Sequence, residues 1–102
     1  MAVPTGRSEK RIASSVAVEI CLQDEPMLKE RASTENVSAH GVRVLMKRKL
    51  QLGQHVLVIS SQEHVRSQAR IVYCQPLAER KFAVGLELSV RVDWANLLGA
   101  RL

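Results

Sequence analysis

Apolar residues recur at every second position in one segment of this chain after another, the period of a strand with one buried face. Val16, Val18, Ile20 and Leu22 share one face, with Ala17, Glu19 and Cys21 on the other. Val42, Val44 and Met46 alternate with Arg43 and Leu45. Val65, Ala69, Ile71 and Tyr73 point inward against Arg66, Gln68 and Arg70, and Phe82, Val84, Leu86 and Leu88 repeat the pattern after Pro76. Lys29 to Val37 alternates weakly, beyond a turn marked by Asp24, Glu25 and Pro26. Val56, Leu57, Val58 and Ile59 form an unbroken apolar run, which reads as a central strand covered on both faces. Five or six short strands in so short a chain predict an all-β fold, a six-stranded antiparallel β-barrel whose closure removes exposed sheet edges.

With 102 residues, 46% of them hydrophobic and 25% charged, the chain fits one ordinary globular domain. Residues 1–12 are polar, contain Pro4 and Gly6, and follow neither period, so they read as a flexible N-terminal arm ahead of a barrel over 13–102. Asp93 can cap a short C-terminal helix near 93–98, in which Trp94, Leu97 and Leu98 share a face and Gly99 acts as the stop. Lys47-Arg48-Lys49 reads as a solvated hairpin loop, or otherwise as a docking point for an acidic partner. No apolar stretch approaches the roughly 20 residues needed to span a bilayer, and the first residues lack the apolar run of a signal peptide. A cytoplasmic protein without a membrane span is expected.

Catalysis and metal binding find little support in the residue types. Cys21 and Cys74 are far apart and lack metal-ligand spacing, so reduced, buried thiols are expected. His40, His55 and His64 are scattered. Ser38 close to His40 suggests a nucleophile, but the strand-turn-helix elbow and an orienting carboxylate are missing. The reading is therefore of a protein that is not an enzyme, with no catalytic residue, no metal and no cofactor.

Binding is a better fit. Fifteen Lys and Arg against ten Asp and Glu give a net charge of +5, which favours anionic partners. Arg66 and Arg70 could add a basic stripe, which Glu87 across the strands would neutralise. Arg7 and Arg11, four residues apart on the arm, offer planar forks for phosphate oxygens or for the O6/N7 edge of guanine. Asn36 and Ser38 on an extended segment face the same way while Val37 faces the core, and Gly41 allows a tight turn or a close backbone approach to a ligand.

Together, Arg7-Ser8-Glu9-Lys10-Arg11 and Asn36-Val37-Ser38-Ala39-His40-Gly41 resemble the two hallmarks of the PilZ domain family, an RxxxR segment followed by a [D/N]xSxxG segment. The resemblance covers essentially Arg7 to Leu88. It implies a six-stranded barrel that binds cyclic di-GMP. Carried over, Arg7 and Arg11 would grip guanine edges and phosphates, Asn36 and Ser38 would hydrogen-bond the ligand from the barrel, and Gly41 would leave room. Gly85 occupies a place comparable to a further family glycine near the ligand. Asn36 stands where many relatives carry Asp, and Gly6 before the first arginine leaves open whether one ligand or a stacked pair is held.

The implied function is a cyclic di-GMP receptor or adaptor that moves its arm on binding and signals in trans, to an unknown partner such as motility, adhesion or exopolysaccharide machinery. Two rivals stand beside it. A small basic barrel could bind nucleic acid, although aromatic residues are only 3% and at least two of the three fall at inward positions, which leaves few stacking platforms. A barrel of the same fold could also serve as a ligand-free protein adaptor.

Overall fold

The computed structural model describes residues 11–23 and 28–94. It is all-β: β1 (Ile12–Ala13), β2 (Ala17–Leu22), β3 (Lys29–Val37), β4 (Gly41–Met46), β5 (His55–Ser60), β6 (Val65–Pro76) and β7 (Phe82–Leu88), with one 3-10 turn at Ala78–Arg80. Every pairing is antiparallel. The order β3-β2-β5-β6-β7-β4 returns to β3 through the β3–β4 ladder, so six strands close into the expected barrel. The two-residue β1 continues along β3 beyond the end of β2, pairing Ile12 with Val37 and Ala13 with Asn36.

Alternation places the core as expected. Val16, Val18, Ile20 and Leu22 on the β2 side, Val42, Val44 and Met46 on β4, and Val84, Leu86 and Leu88 on β7 are all buried. At about 25 cal/mol per Å² of apolar surface removed from water, these side chains supply the main drive to close the cylinder. Val92 and Trp94 continue the core past β7. Of the helix expected near 93–98, only Asp93 and Trp94 are described, and residues 95–98 lie outside the described residues.

Four local expectations are corrected. β5 is buried on one face: Val56 and Val58 are fully inside while Leu57 and Ile59 remain half exposed. Its central position, between β2 and β6, is as expected. Lys47-Arg48-Lys49 is exposed but not in a hairpin, because β4 pairs with β3 and β7 whereas β5 pairs with β2 and β6, and the loop therefore crosses between non-neighbours. Cys21 and Cys74 are free thiols, each only half buried. Tyr73 faces outward, for a reason that lies in the ladder.

Two β-bulges reverse the inside-outside parity of their strands. In β3, Thr34 pairs with Val44 and Asn36 with Arg43, so Glu35 is the extra residue. Thr34 is buried, Glu35 and Asn36 both lie on the outer face, and Val37 returns to the core. In β6, Ile71 pairs with Leu86 and Tyr73 with Gly85, leaving Val72 as the extra residue. Strict alternation from Val65 would bury Tyr73; the bulge turns it out and sends Cys74 toward the core.

Candidate functional site

The two bulges assemble one row across the outside of the barrel. Reading the register from β1 to β6, Ala13, Asn36, Arg43, Gly85 and Tyr73 lie side by side on five strands. Both Asn36 and Tyr73 would face inward without the extra residue in their strands.

Arg11 enters at the β1 end of this row. Its Nη1 donates to Asn36 Oδ1 at 2.8 Å, joining residues 25 positions apart. The β1–β3 pairing fixes the approach, and Thr34 holds the bend that follows. Thr34 Oγ1 accepts from the Val16 amide at 2.8 Å and donates to the Ser14 carbonyl oxygen, and Ser14 N donates to Glu35 O at 3.2 Å. The bend between β1 and β2 is thereby stitched to the bulge that exposes Asn36. Arg7 lies outside the described residues.

Asn36 is half exposed and Val37 fully buried, as the extended reading requires. Ser38, expected to face outward with Asn36, is instead buried, because the strand ends at Val37 and Ser38 closes a tight turn: its amide donates to Gly41 O at 2.7 Å, the Gly41 amide donates to Ser38 O at 3.4 Å, and Ala39-His40 form the loop. The Ser38 hydroxyl lies 3.4 Å from Gly41 O. A Cβ on Gly41 would come within 2.9 Å of that hydroxyl, so the space left by this glycine is shared with Ser38. The turn is anchored from outside as well, since Leu88 N donates to His40 O at 2.7 Å and Val92 N to Ala39 O at 2.8 Å.

Gly85 is buried beneath the Tyr73 ring, and a Cβ there would run into the ring carbons. Its open space is thus filled by an aromatic side chain of this chain. The Tyr73 hydroxyl accepts from Arg43 Nη1 at 3.2 Å, and the Arg43 guanidinium carbon sits 5.8 Å from the ring centroid, within cation–π reach. Arg43 Nε also donates to Glu35 Oε1 at 2.6 Å. The hydrogen bond to Glu35, and then that to Tyr73, hold the Arg43 guanidinium above its ordinary pKa, so this group stays cationic.

Asn36, Ser38 and Gly41 are therefore gathered by one strand end and one turn, Arg11 is brought onto Asn36, and Gly85 lies two strands away in the same row. Arg43 and Tyr73 were not singled out from sequence. The outward position of Arg43 beside Asn36 was readable; a glycine inside a strand, needing an aromatic neighbour to cover it, was the available signal for Tyr73. The outer row presents the Arg11 and Arg43 guanidinium groups, the Asn36 amide and the Tyr73 phenol around the Glu35 carboxylate, with the Arg70–Glu87 ion pair beside Gly41, a surface suited to an anionic, aromatic ligand. Among the described residues no three of His, Cys, Asp and Glu come together as a metal site.

The model of the PilZ domain matches residues 5–99. The chain belongs to the PilZ domain family. This family is known for binding cyclic di-GMP, and PilZ proteins act as receptors and adaptors, generally not as enzymes. A search of curated proteins found no significant match. Among solved structures the PilZ chain resembles the Bacillus subtilis inhibitor of motility (MotI/DgrA), with a TM-score of 0.68 and 20% identity over 91% of this chain. The likeness covers 46% of that protein, so this chain spans about half its length, and at this identity it establishes the shared barrel.

Proposed function

We propose that this PilZ domain is a cyclic di-GMP receptor in which Arg7 and Arg11 close over a nucleotide held against Asn36, Ser38 and Gly41. The observation carrying the reading is the 2.8 Å hydrogen bond from Arg11 to Asn36, which joins one residue of each family motif. Arginine forks bind phosphate or the guanine O6/N7 edge bidentately, while the Asn36 amide and Ser38 hydroxyl can both donate and accept. Nearby, Arg43 and Tyr73 add a fixed cation and a ring edge to the same row.

Closure carries the signal. Ordering backbone costs about 1–2 kcal/mol per residue, and each charge-assisted hydrogen bond returns about 1.5–3 kcal/mol, so a doubly anionic ligand with several such contacts offsets closure of a short segment. The closed arm then forms part of a surface read in trans by a partner protein, for which motility, adhesion or exopolysaccharide machinery are the candidates.

Titration calorimetry of the intact chain with cyclic di-GMP tests the reading. Micromolar or tighter binding is expected, with Arg7→Ala and Arg11→Ala each weakening it by about tenfold or more, the equivalent of one lost charge-assisted contact. Equal binding by all three proteins would remove the arginines from the mechanism.

A further inference from the structure

About 7 Å along β4 from Arg43, two residues at about 3.3 Å each, the same outer face carries a second feature that begins at Leu45. A groove of about 380 Å³ lies over β2, β3 and β4, with Ala17, Ser33 and Leu45 in its floor and Arg31, Lys47 and Lys81 around its rim. The ladder explains this grouping: Ala17 pairs with Ser33 and Ser33 with Leu45, which brings two small side chains beside a half-exposed leucine. One step further, the pairing of Met46 with Phe82 sets Lys47 beside Lys81.

All three rim cations are exposed, and among the described residues none of them forms an ion pair. Two other arginines of the barrel are ion-paired, Arg43 with Glu35 and Arg70 with Glu87. Glu30, which also borders the groove, is the one carboxylate in its lining among the described residues and accepts from the Lys47 amide at 2.6 Å. Arg48, Lys49 and Arg80 extend the positive field beyond the rim.

We propose that this groove is a docking surface for an acidic, extended segment of a partner protein that carries small apolar side chains. Unpaired cations around a shallow apolar floor complement carboxylates alternating with apolar residues, and such complementarity steers encounter and fixes register. The aromatics disfavour nucleic acid here: Trp94 is buried, Phe82 packs against the core and Tyr73 is engaged over Gly85, so no stacking platform borders the groove. Ala17 and Ser33 are small and Leu45 is only half exposed, so these side chains offer no large apolar protrusion to insert into a bilayer. The groove does not depend on nucleotide binding, although it shares β3 and β4 with the nucleotide site.

The test is an amide-resonance titration of the intact chain with a synthetic peptide of alternating Glu and Ala, at physiological salt. Shifts are expected to concentrate at Ala17, Arg31, Ser33, Leu45, Lys47 and Lys81. Reversing two rim charges together, Lys47→Glu with Lys81→Glu, is expected to weaken the peptide about tenfold or more while cyclic di-GMP affinity stays within about twofold. The neutral pair Lys47→Gln with Lys81→Gln should fall between, which keeps the test decisive if charge reversal perturbs folding. Shifts scattered over the barrel, unchanged peptide affinity in the neutral pair, or tighter binding of a single-stranded oligonucleotide or of phosphatidylglycerol vesicles at these residues would overturn the proposal. Peptide binding without any cyclic di-GMP response would sink the receptor reading and leave the groove intact; the reverse outcome would sink the groove alone.

Discussion

At Gly85 the missing side chain is replaced by the ring of Tyr73, which lies across the backbone and donates no contact a larger residue could share. Gly85→Ala must displace that ring and, with it, the hydroxyl that accepts from Arg43. Overpacking of this kind costs about 1–3 kcal/mol, read as a lower urea midpoint with an unchanged slope. Tyr73→Ala with Gly85→Ala together should lose less than the two single losses added, because the clash is relieved. The Arg43–Glu35 ion pair is a different matter. Its side chains are 28% and 40% exposed, so its removal should change stability by only about 0–1 kcal/mol, and its role lies in aiming Arg43.

The bend between β1 and β2 depends on Thr34. Thr34→Val keeps the shape but leaves the Val16 amide without the acceptor it has now, in a buried position, at a cost of about 1–3 kcal/mol by chemical denaturation. It should also weaken nucleotide binding, since the same stitching sets β1, and hence Arg11, beside Asn36. Elements of this kind were unevenly legible. Val16 to Leu22 and Val42 to Met46 follow a strict period and fold as read. The parity changes at Glu35 and Val72 carry no glycine or proline to mark them, and each becomes visible only through its partner strand. Tyr73 was misplaced for that reason, whereas Asn36 was placed correctly because the alternation was counted locally from Val37. β1, only two residues long, has too few positions for any period to be recognised.

On the scale of the whole molecule, the segment after β7 links the motif turn to the core. Leu88 and Val92 donate to the carbonyls of His40 and Ala39, and Val92 and Trp94 are buried among the barrel residues. Trp94→Ala should therefore cost about 3–5 kcal/mol, a large share of the roughly 5–15 kcal/mol typical of such domains, and lower the melting temperature steeply. The barrel itself was legible because five or six strand-like segments in one short chain leave few ways to hide their edges. The crossover from β4 to β5 was not, since loop composition does not say which strands are neighbours. The two motifs pointed to one another only through family resemblance; in the fold Arg11 of the first reaches Asn36 of the second where β1 pairs with the end of β3. The central claim is that a cyclic di-GMP molecule is clasped between the arginine segment and this outer row. Amide resonances of the intact chain, recorded as cyclic di-GMP is added, test it most directly. The account predicts saturable changes at Arg7, Arg11, Asn36, Ser38 and Gly41 together, with ordering of the arm detected by heteronuclear Overhauser effects. Absence of binding, or binding that shifts Asn36 and Ser38 while Arg7 and Arg11 stay unmoved, would contradict it.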